Sequence, residues 1–398
     1  MNTKLSALQE RESRLLFSTY ARYPVAVKKA RGTMVYDFDG REYVDLLAGI
    51  SVCNLGHCHP ELAAVMAEQA AKLVHMSNLF YYEEQLELAQ RLVDTCGNDR
   101  VFFCNSGAEA NEAAIKLARR YMHKVRGRDA HDIITLQGSF HGRTLATIAA
   151  TGQDAIKDGF EPLPPGFTHV PPGDIAALER AVTPHTAGVL VEIIQGEGGV
   201  RPLTREYLLG LERLCRERDI LLMVDEVQTG LGRTGTMWAH QHFSLAPDIF
   251  TSAKGLANGL PMGAMLATEE VAQGFAPGSH ATTFGGGPLL SAVAAKVLEI
   301  IQRDRLVERA REVGGDFSKD LEQLRQRLPE RITHIRGRGL MVGIELAEEG
   351  KQTWARLLEA GFICNLSHQK ILRLLPPLTV SREELARFVD ALARILEN

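Results

Sequence analysis

Lys254 is the residue in this 398-residue chain with the clearest capacity for covalent chemistry. It stands in DIFTSAKGLANGLPMGA, directly after an apolar run that predicts a buried strand and among glycines that let another group approach closely. A lysine amine becomes nucleophilic when it is desolvated or placed near other cations. We therefore predict that Lys254 forms an imine with a carbonyl compound, although a lysine at a strand end is more often structural or solvated when it is judged alone.

Two carboxylates, Asp225 and Glu226, follow the apolar run ILLMV. The carboxyl ends of strands line the ligand crevice of open α/β sheets, and carboxylates there serve as metal ligands, as an acid and base pair, or as partners of a cationic ring nitrogen. The spacing from Lys254 favours the third role for Asp225, because pyridoxal phosphate needs an acidic partner at its ring nitrogen. Strand alternation turns Glu226 away as a structural hydrogen-bond acceptor, and Gln228 is a candidate contact of the phenolic oxygen.

An anion site is predicted where the strand FFC meets the helical stretch EANEAAIKLARR. Ser106, Gly107 and Ala108 form a turn of small residues there, and the first N–H groups and the dipole of the helix attract an anion. The segment lacks the G-x-x-x-x-G-K-[ST] pattern of triphosphate loops, so a single phosphate monoester fits better. An ordinary Ser106 N-cap with Glu109 completing a capping box is an equally valid interpretation, and the two are compatible.

Three further segments contain candidate contacts for a ring and for carboxylates. In SFHGRT, Phe140 can stack on a planar ring and Arg143 can clamp a carboxylate, or both can simply pack or carry surface charge. In EIIQGEGG, Glu197 faces either solvent or an arginine. Arg373 stands between apolar neighbours in ILRLLPPL, where a guanidinium needs a partner. We expect Glu197 and Arg373 to pair when no second substrate carboxylate is bound.

The elements that must position these residues alternate in type between residues 101 and 268. Short apolar runs such as DIITL and ILLMVDEV alternate with longer amphipathic stretches, which predicts a mainly parallel sheet covered by helices. MVYDFDGREYVDLLAG predicts a hairpin with a DG turn. Long amphipathic helices follow Pro288, and the short strand candidates LMVGIEL and ILRLL come after them. We predict an α/β fold with a large cofactor-binding domain at 50–287 and a smaller α+β domain built from both chain ends, 1–49 and 288–398.

Composition and charge narrow the class of function. The 45 basic and 49 acidic residues nearly cancel, so no long-range field marks a nucleic-acid or membrane-surface partner. No apolar run approaches the roughly 20 residues that span a bilayer, and the polar start is unlike a signal peptide, so a cytoplasmic protein with reduced cysteines is expected. Cys53, His57, Cys58 and His59 lack a second cluster that would complete four ligands, so no metal is predicted.

Several motifs together resemble the class III aminotransferases of PLP fold type I, most closely the acetylornithine aminotransferase branch. From about Tyr20 to near the C-terminus they are NSGAEANEAAIKLARR, SFHGRT, QGEGGV, DEVQTGLGRTG, TSAKGLANGLPMGA, TTFGGGP and RLLPPL. The resemblance implies a homodimer with active sites at the subunit interface and pyridoxal 5'-phosphate held as a Schiff base on Lys254. It further implies that Thr283 reaches the phosphate of the neighbouring subunit and that Arg143 binds the α-carboxylate of the substrate.

The same resemblance implies roles for the remaining cofactor contacts. Asp225 would bind the ring nitrogen, Gln228 would lie near the phenolic oxygen and Phe140 would stack on the ring. Gly107 and Ala108 would hold the phosphate at the turn that begins with Ser106.

The activity implied by the resemblance is transfer of the terminal amino group of N2-acetylornithine to 2-oxoglutarate. The products are N-acetylglutamate semialdehyde and glutamate, in arginine biosynthesis. SNLFYYEEQ resembles the N-acyl branch, whereas Ile193 and Gly287 replace the usual proline and asparagine and bear on the substrate more than on the cofactor. The alternatives are another ω-aminotransferase, acting on ornithine, succinylornithine, 4-aminobutyrate or succinyl-diaminopimelate, and a non-catalytic protein that kept the fold. Retention of Lys254, Asp225 and Gln228 together argues against the latter.

Overall fold

The computed structural model describes residues 3–397, in which helices surround a large central sheet and both chain ends contribute further β structure. Residues 1, 2 and 398 belong to the predicted terminal segments and lie outside the described residues. The helices, in chain order, are α1 Thr3–Leu15, α2 Ala48–Ser51, α3 Pro60–Lys72, α4 Glu83–Val93, α5 Gly107–Lys124, α6 Leu145–Ala150, α7 Ile175–Ala181, α8 Arg205–Arg218, α9 Glu269–Ala272, α10 Pro288–Arg303, α11 Leu306–Arg327, α12 Lys351–Glu359 and α13 Arg382–Glu397.

The strands are numbered in the same way. They are β1 Val27–Arg31, β2 Met34–Asp37, β3 Glu42–Asp45, β4 Arg100–Cys104, β5 Asp132–Leu136, β6 Phe167–Val170, β7 Thr186–Val191, β8 Ile194–Gln195, β9 Arg201–Pro202, β10 Leu221–Asp225, β11 Ile249–Ser252, β12 Gly263–Ala267, β13 Ile332–Arg338, β14 Met341–Leu346, β15 Phe362–Ile363, β16 Asn365–Ser367 and β17 Ile371–Leu374. Short 3₁₀ turns occur at Asp154–Ile156, Ala239–Phe243 and Lys254–Ala257.

The large sheet has the strand order β4-β12-β11-β10-β7-β5-β6. Its pairs are parallel except those of β12, which runs antiparallel to both β11 and β4. Every residue of β7, β10, β11 and β12 is buried, as expected for strands covered on both faces. The predicted α/β fold is confirmed. The antiparallel strand arises because only the 3₁₀ turn at Lys254–Ala257 lies between β11 and β12, whereas a parallel return needs a longer crossover.

Two smaller sheets hold the chain ends. The predicted hairpin is present as β2 and β3, with Val35 opposite Tyr43, and β1 extends it. The strand β15, from the C-terminal part of the chain, pairs in parallel with β3, so the two ends of the chain share one sheet. A second sheet has the order β13-β14-β17-β16 and contains the predicted strands LMVGIEL and ILRLL. The domain boundaries near residues 49 and 287 stay a prediction.

The long helical stretch after Pro288 is two helices in the structure. Pro288 opens α10 at its first turn, where a missing N–H costs nothing. The helix is interrupted at Asp304 and Arg305. Arg305 adopts a left-handed backbone conformation with φ of 53° before α11 begins. None of the helices within residues 3–397 combines the length and apolar character needed to cross a membrane.

A fully buried arginine, Arg233, connects three parts of the chain. Arg233 donates from Nε to Ser51 Oγ at 2.9 Å and from Nη2 to Asn54 Oδ1 at 2.7 Å. Its Nη1 donates to the carbonyl oxygens of Leu340 and Pro376. A buried guanidinium is costly unless its donors are satisfied, so these contacts hold the N-terminal, central and C-terminal segments in one arrangement.

Candidate active site

A pocket of about 470 Å³ opens at the carboxyl ends of β4, β5, β7, β10 and β11. Nine of the predicted site residues line it: Ser106, Gly107, Ala108, Phe140, Arg143, Glu197, Asp225, Gln228 and Lys254. Parallel strands present their carboxyl ends at one edge of the sheet, which brings together residues that are far apart in sequence. Arg373 and Thr283 are the two predicted residues outside this lining.

Lys254 stands two residues after β11, at the start of a 3₁₀ turn, with a left-handed φ of 45°. Its side chain forms no hydrogen bond or ion pair with another described residue, and part of its surface is open to the pocket. The pKa of Lys254 is lowered because the amine is buried. The carboxylates of Glu197 and Asp225 act in the opposite direction but do not cancel this effect. The amine is therefore more readily neutral than an exposed lysine, as a nucleophile requires.

Asp225 ends β10 and is nearly fully buried. Its Oδ2 accepts from Asn111 Nδ2 at 2.8 Å and lies 2.9 Å from His141 Nδ1, while its Oδ1 accepts from the backbone N–H of Val227 at 3.0 Å. Asn111 is fixed in turn by the hydroxyl of Thr251, which donates to its Oδ1 at 2.8 Å. Three donors and a supporting contact therefore hold the carboxylate in one orientation.

Glu226 points away from the pocket, as strand alternation predicts. Its Oε1 accepts from the backbone N–H of His240 at 2.8 Å and lies 3.0 Å from the imidazole Nδ1 of the same residue. Burial would raise the pKa of Glu226, but the hydrogen bonds from His240 and Thr229 lower it. The prediction that Glu226 is a structural acceptor is confirmed.

The predicted anion site lies at the N-terminus of α5, an 18-residue helix capped by Ser106. The Ser106 hydroxyl accepts from the backbone N–H of Glu109 at 3.1 Å. The Glu109 carboxylate does not bind the Ser106 N–H as a capping box would. It accepts instead from the backbone and the side chain of Asn105, at 2.7 and 2.8 Å. Since the first N–H groups of a helix have no partner within it, those of Gly107 and Ala108 remain suited to an anion.

Gly107 also sets the width of this part of the pocket. A Cβ at Gly107 would lie 2.7 Å from Cγ1 of Val227, which lines the pocket after β10. That distance is far shorter than an ordinary carbon contact. The backbone of the turn can therefore approach Val227 only because residue 107 has no side chain.

Phe140 and Arg143 follow β5 and contact each other at the pocket wall. The Arg143 guanidinium carbon lies 5.6 Å from the centroid of the Phe140 ring, within the range of a cation–π contact. Phe140 is half-buried and Arg143 is exposed. The pocket wall therefore contains an aromatic ring and, beside it, an accessible guanidinium.

Glu197 and Arg373 form the ion pair expected from the sequence. Arg373 Nη1 lies 2.6 Å from Glu197 Oε1, and Arg373 Nε donates to Asn365 Oδ1 at 3.1 Å. The Arg373 side chain is 2% exposed, whereas that of Glu197 is 32% exposed. Burial would raise the pKa of Glu197, but the Arg373 guanidinium outweighs it and keeps the pKa low. Arg373 therefore does not line the pocket itself, but it binds Glu197, which does.

Three buried polar residues that line the pocket, Asn111, His141 and Glu192, were not predicted as site residues. Glu192 lies at the end of β7, where its two oxygens accept from the backbone N–H groups of Phe140 at 2.9 Å and Gly196 at 3.0 Å. Burial raises the pKa of Glu192 to about 7. His141 is fully buried and binds Asp225. Glu192 carried a usable signal, because it follows the apolar run AGVLV much as Asp225 follows ILLMV, whereas nothing in SFHGRT distinguished His141.

Thr283 is exposed and lies outside the pocket. Its neighbour Thr282 is close to the site, since Asn105 Nδ2 donates to the Thr282 hydroxyl at 3.1 Å. The single chain therefore places the segment TTFGG next to Asn105, which lines the pocket, without bringing Thr283 to its own anion site.

The cysteine and histidine cluster considered for a metal has other contacts. His57 Nε2 lies 2.7 Å from Asp45 Oδ2, and this contact, together with Cys53, raises the pKa of His57 to about 10. Within the described part of the chain, the one group of three potential ligands close enough to share an ion lies elsewhere, at the exposed residues Asp129, His131 and His185.

Comparison with known proteins gives concordant matches over nearly the whole chain. The sequence model of the family described as "Aminotransferase class-III" matches residues 18–396. The acetylornithine aminotransferase of Methanocaldococcus jannaschii is 45% identical over 384 residues, which cover 96% of each chain.

Solved structures show the same relationship. A structure of the ornithine aminotransferase from Toxoplasma gondii, described with partial occupancy of PLP at its active site, has a TM-score of 0.94 and 33% identity, covering 98% of this chain and 94% of that one. The acetylornithine aminotransferase from Elizabethkingia anophelis has a TM-score of 0.90 and 35% identity, covering 99% of both chains.

Proposed function

The chain belongs to the class-III aminotransferase family, and from that premise we propose that it moves the terminal amino group of N2-acetylornithine to 2-oxoglutarate. The products are N-acetylglutamate semialdehyde and glutamate, and the cofactor is pyridoxal 5'-phosphate. The substrate assignment is supported by acetylornithine aminotransferases at 44–48% identity over at least 91% of their own length. We propose arginine biosynthesis as the pathway.

One observation carries the proposal: an unpartnered lysine amine and a firmly held carboxylate, Lys254 and Asp225, share one pocket. The pocket also offers polar atoms that a bound cofactor could satisfy. His141 Nε2 and Gln228 Oε1 are buried without a hydrogen-bond partner among the described residues, and such orphaned atoms are normally satisfied by water or by a ligand. The N-terminus of α5, opened by Gly107, suits the phosphate.

Each residue then has a distinct task in the transfer. When bound, pyridoxal phosphate supplies an aldehyde that captures amines and a ring that withdraws electrons from the reacting carbon. Asp225, oriented by Asn111 and His141, would hold the ring nitrogen of the bound cofactor in its positively charged form. Lys254 Nζ takes the proton from the amine-bearing carbon of the donor, and its lowered pKa makes the neutral, accepting form more available.

The ion pair between Glu197 and Arg373 gives the pocket two states for two substrates. With the pair closed, the buried guanidinium is neutralised and the site accepts a donor that presents its terminal amine, with its α-carboxylate on Arg143. With Glu197 turned away, Arg373 is free for one of the carboxylates of glutamate or 2-oxoglutarate. Glu197 is the partner able to move, because its side chain is partly exposed whereas that of Arg373 is not.

We propose that the enzyme is a homodimer whose active sites lie at the subunit interface. Around the segment 73–86 the described chain exposes many large apolar side chains close together in sequence. Soluble monomers normally expose such side chains singly. Its members are Leu73, Val74, Met76, Leu79, Phe80, Tyr81, Leu86 and Phe284. Asn78 and Gln85 donate to the carbonyl oxygens of Gly285 and Gly286, which joins this surface to the segment that carries Thr283. A partner subunit bound to this surface would lie close to the segment that carries Thr283, as the expected contact of Thr283 with the phosphate of the neighbouring subunit requires.

The proposed compartment is the cytoplasm. All six cysteines are unpaired in the structure, which suits a reducing environment.

The second candidate substrate is ornithine, because solved ornithine aminotransferases share the fold closely. A panel of donors separates the two assignments: N-acetylornithine, ornithine, N-succinylornithine and 4-aminobutyrate at equal concentration, each with 2-oxoglutarate. We expect the highest kcat/KM with N-acetylornithine. A higher value with ornithine would overturn the substrate assignment without affecting the aminotransferase assignment.

The chemistry itself is tested by Lys254→Ala. Loss of the amine removes both the imine-forming group and the proton carrier, so we expect kcat to fall by more than about 10²-fold. The wild-type holoenzyme should also lose its yellow colour when glutamate is added without an amino acceptor, and the variant should not complete the cycle. Full transamination by the variant would exclude the proposed role of Lys254.

A further inference from the structure

A second pocket of about 460 Å³ lies on the exposed face of α5, near the end of the helix opposite the candidate active site. Five cations line it against a single carboxylate, Asp129, a formal excess of four positive charges in a chain whose net charge is -4. The cations are Lys116, Arg119, Arg120, Lys124 and Arg128. Here this cavity is called the α5 pocket.

The cations of the α5 pocket differ in whether they already have hydrogen-bond or ion-pair partners. Arg119 donates to the carbonyl oxygens of His131 and Pro165, and Arg128 lies 3.2 Å from Asp219. By contrast, Arg120 and Lys124 form no hydrogen bond or ion pair within the described chain, and the Nε of Arg120 is buried without a partner. A buried donor without a partner costs free energy. Arg120 therefore has hydrogen-bonding capacity that no described residue satisfies.

The arrangement on the helix is unfavourable for the protein alone. Lys116, Arg120 and Lys124 succeed one another at intervals of four residues, so like charges are neighbours on one face. Such pairs destabilise a helix. A favourable interaction with the helix dipole explains Lys124 in the last turn but not Lys116 or Arg120, which lie further from that end.

The shape and the remaining lining indicate a small ligand. The cavity is within the usual volume range of small-molecule sites, and it offers the half-buried ring of Phe275 and the side chain of Ser279 beside the cations. An arginine with free donors binds phosphate oxygens in bidentate fashion, and a lysine supplies a point charge. From these features we propose that the α5 pocket binds a small molecule carrying a diphosphate group, with Arg120 and Lys124 as its principal contacts. This proposal is independent of the proposed function.

The test titrates the pyridoxal-phosphate-loaded enzyme with inorganic pyrophosphate by calorimetry. Saturating 2-oxoglutarate is present so that the candidate active site is occupied. We expect one site per subunit and an affinity that falls as ionic strength rises. The double variant Arg120→Gln/Lys124→Gln should weaken binding about tenfold or more, because two charge-assisted contacts are lost. The charge-keeping variant Arg120→Lys/Lys124→Arg should retain more of the affinity.

Two controls separate binding from structure. Arg213→Gln removes an exposed cation of α8 and should leave pyrophosphate binding unchanged. Without ligand, the Arg120→Gln/Lys124→Gln variant should melt no lower than the wild type and keep its transaminase activity, since removing like charges relieves repulsion. Equal pyrophosphate binding by wild type and this variant, or no saturable binding by the wild type, would overturn the proposal.

A second titration identifies the source of the diphosphate. Adenosine diphosphate should bind the same pocket if the ligand is a nucleotide, and Phe275→Leu should then weaken adenosine diphosphate but not pyrophosphate, because only the former can stack a ring. If Phe275→Leu leaves adenosine diphosphate binding unchanged, the ligand is an inorganic or non-aromatic diphosphate.

Discussion

The carboxylate of Asp225 is held in place by a chain of buried neighbours. Asp225 is positioned by Asn111 and His141, and Asn111 is positioned by Thr251. A carboxylate held by several donors cannot rotate away from a ring nitrogen, so orientation is supplied before any ligand arrives. Thr251 therefore contributes to the position of Asp225 although it does not line the pocket itself.

Glu192 supports a prediction about stability and pH in the protein without cofactor. Its pKa is raised from 4.5 in the unfolded chain to about 7 in the folded protein. A raised folded-state pKa means that the native state binds the proton more tightly, so its stabilising contribution is complete below about pH 4.5 and is lost as pH rises through about 7. The loss amounts to at most about 3 kcal/mol.

Urea unfolding of wild type and Glu192→Gln across this pH range measures the effect. The variant cannot titrate at this position, so the difference in unfolding free energy between the two proteins should shift in favour of the variant as pH rises. A difference that stays constant with pH would contradict the raised pKa.

The ion pair of Glu197 and Arg373 predicts a change in substrate preference. Glu197→Ala frees the guanidinium permanently, so substrates with a carboxylate at that position should gain relative to N-acetylornithine. We expect the ratio of kcat/KM for N-acetylornithine to that for glutamate to fall about tenfold, equivalent to 1.4 kcal/mol. Steady-state kinetics with each donor measures the ratio, Glu179→Ala on the exposed surface is the control, and an unchanged ratio would exclude the two-state pocket.

At the scale of elements, the turn between β4 and α5 packs closely against Val227. Gly107→Ala would place a methyl group 2.7 Å from Val227 Cγ1. We expect this overpacking to destabilise the protein by about 1–3 kcal/mol and to weaken cofactor binding. Both effects should be largely reversed in Gly107→Ala/Val227→Ala, which restores the space.

Chemical denaturation and titration of the apoprotein with pyridoxal phosphate give the two quantities. If the double variant is no better than Gly107→Ala, the close approach to Val227 is not the reason that glycine is required.

For the whole molecule, the exposed apolar surface around residues 73–86 predicts association. Leu79 is 86% exposed in the single chain, and Leu79→Asp would place a charge inside the proposed interface. We expect a monomer in sedimentation velocity, with little transaminase activity because Thr283 no longer meets the neighbouring site. Phe160→Asp is the matched control, since Phe160 is 56% exposed but far from this segment in sequence. A monomeric wild type, or an active monomeric variant, would contradict the shared site.

The sequence by itself determined the local chemistry and much of the fold. Apolar runs and helical periodicity predicted the α/β sheet, the β2–β3 hairpin and the C-terminal strands, because burial on both faces or on one face leaves a readable pattern. Strand-end positions were enough to place Lys254, Asp225 and Glu197 at one edge, since parallel strands end together. The antiparallel direction of β12 and the break at Arg305 left no such pattern, because each depends on a local backbone turn.

Tertiary structure decided the contacts between side chains that are distant in sequence. The bonds of His141 to Asp225, of Glu192 to the Phe140 backbone and of Glu109 to Asn105 depend on exact distances across strands and turns, which periodicity does not encode. The charge cluster of the α5 pocket likewise becomes a concave site only when 128–131 and 275–279 fold against the helix. Residue type and spacing state which chemistry is possible, whereas packing decides which groups meet, because hydrogen bonds and ion pairs act over only a few ångströms.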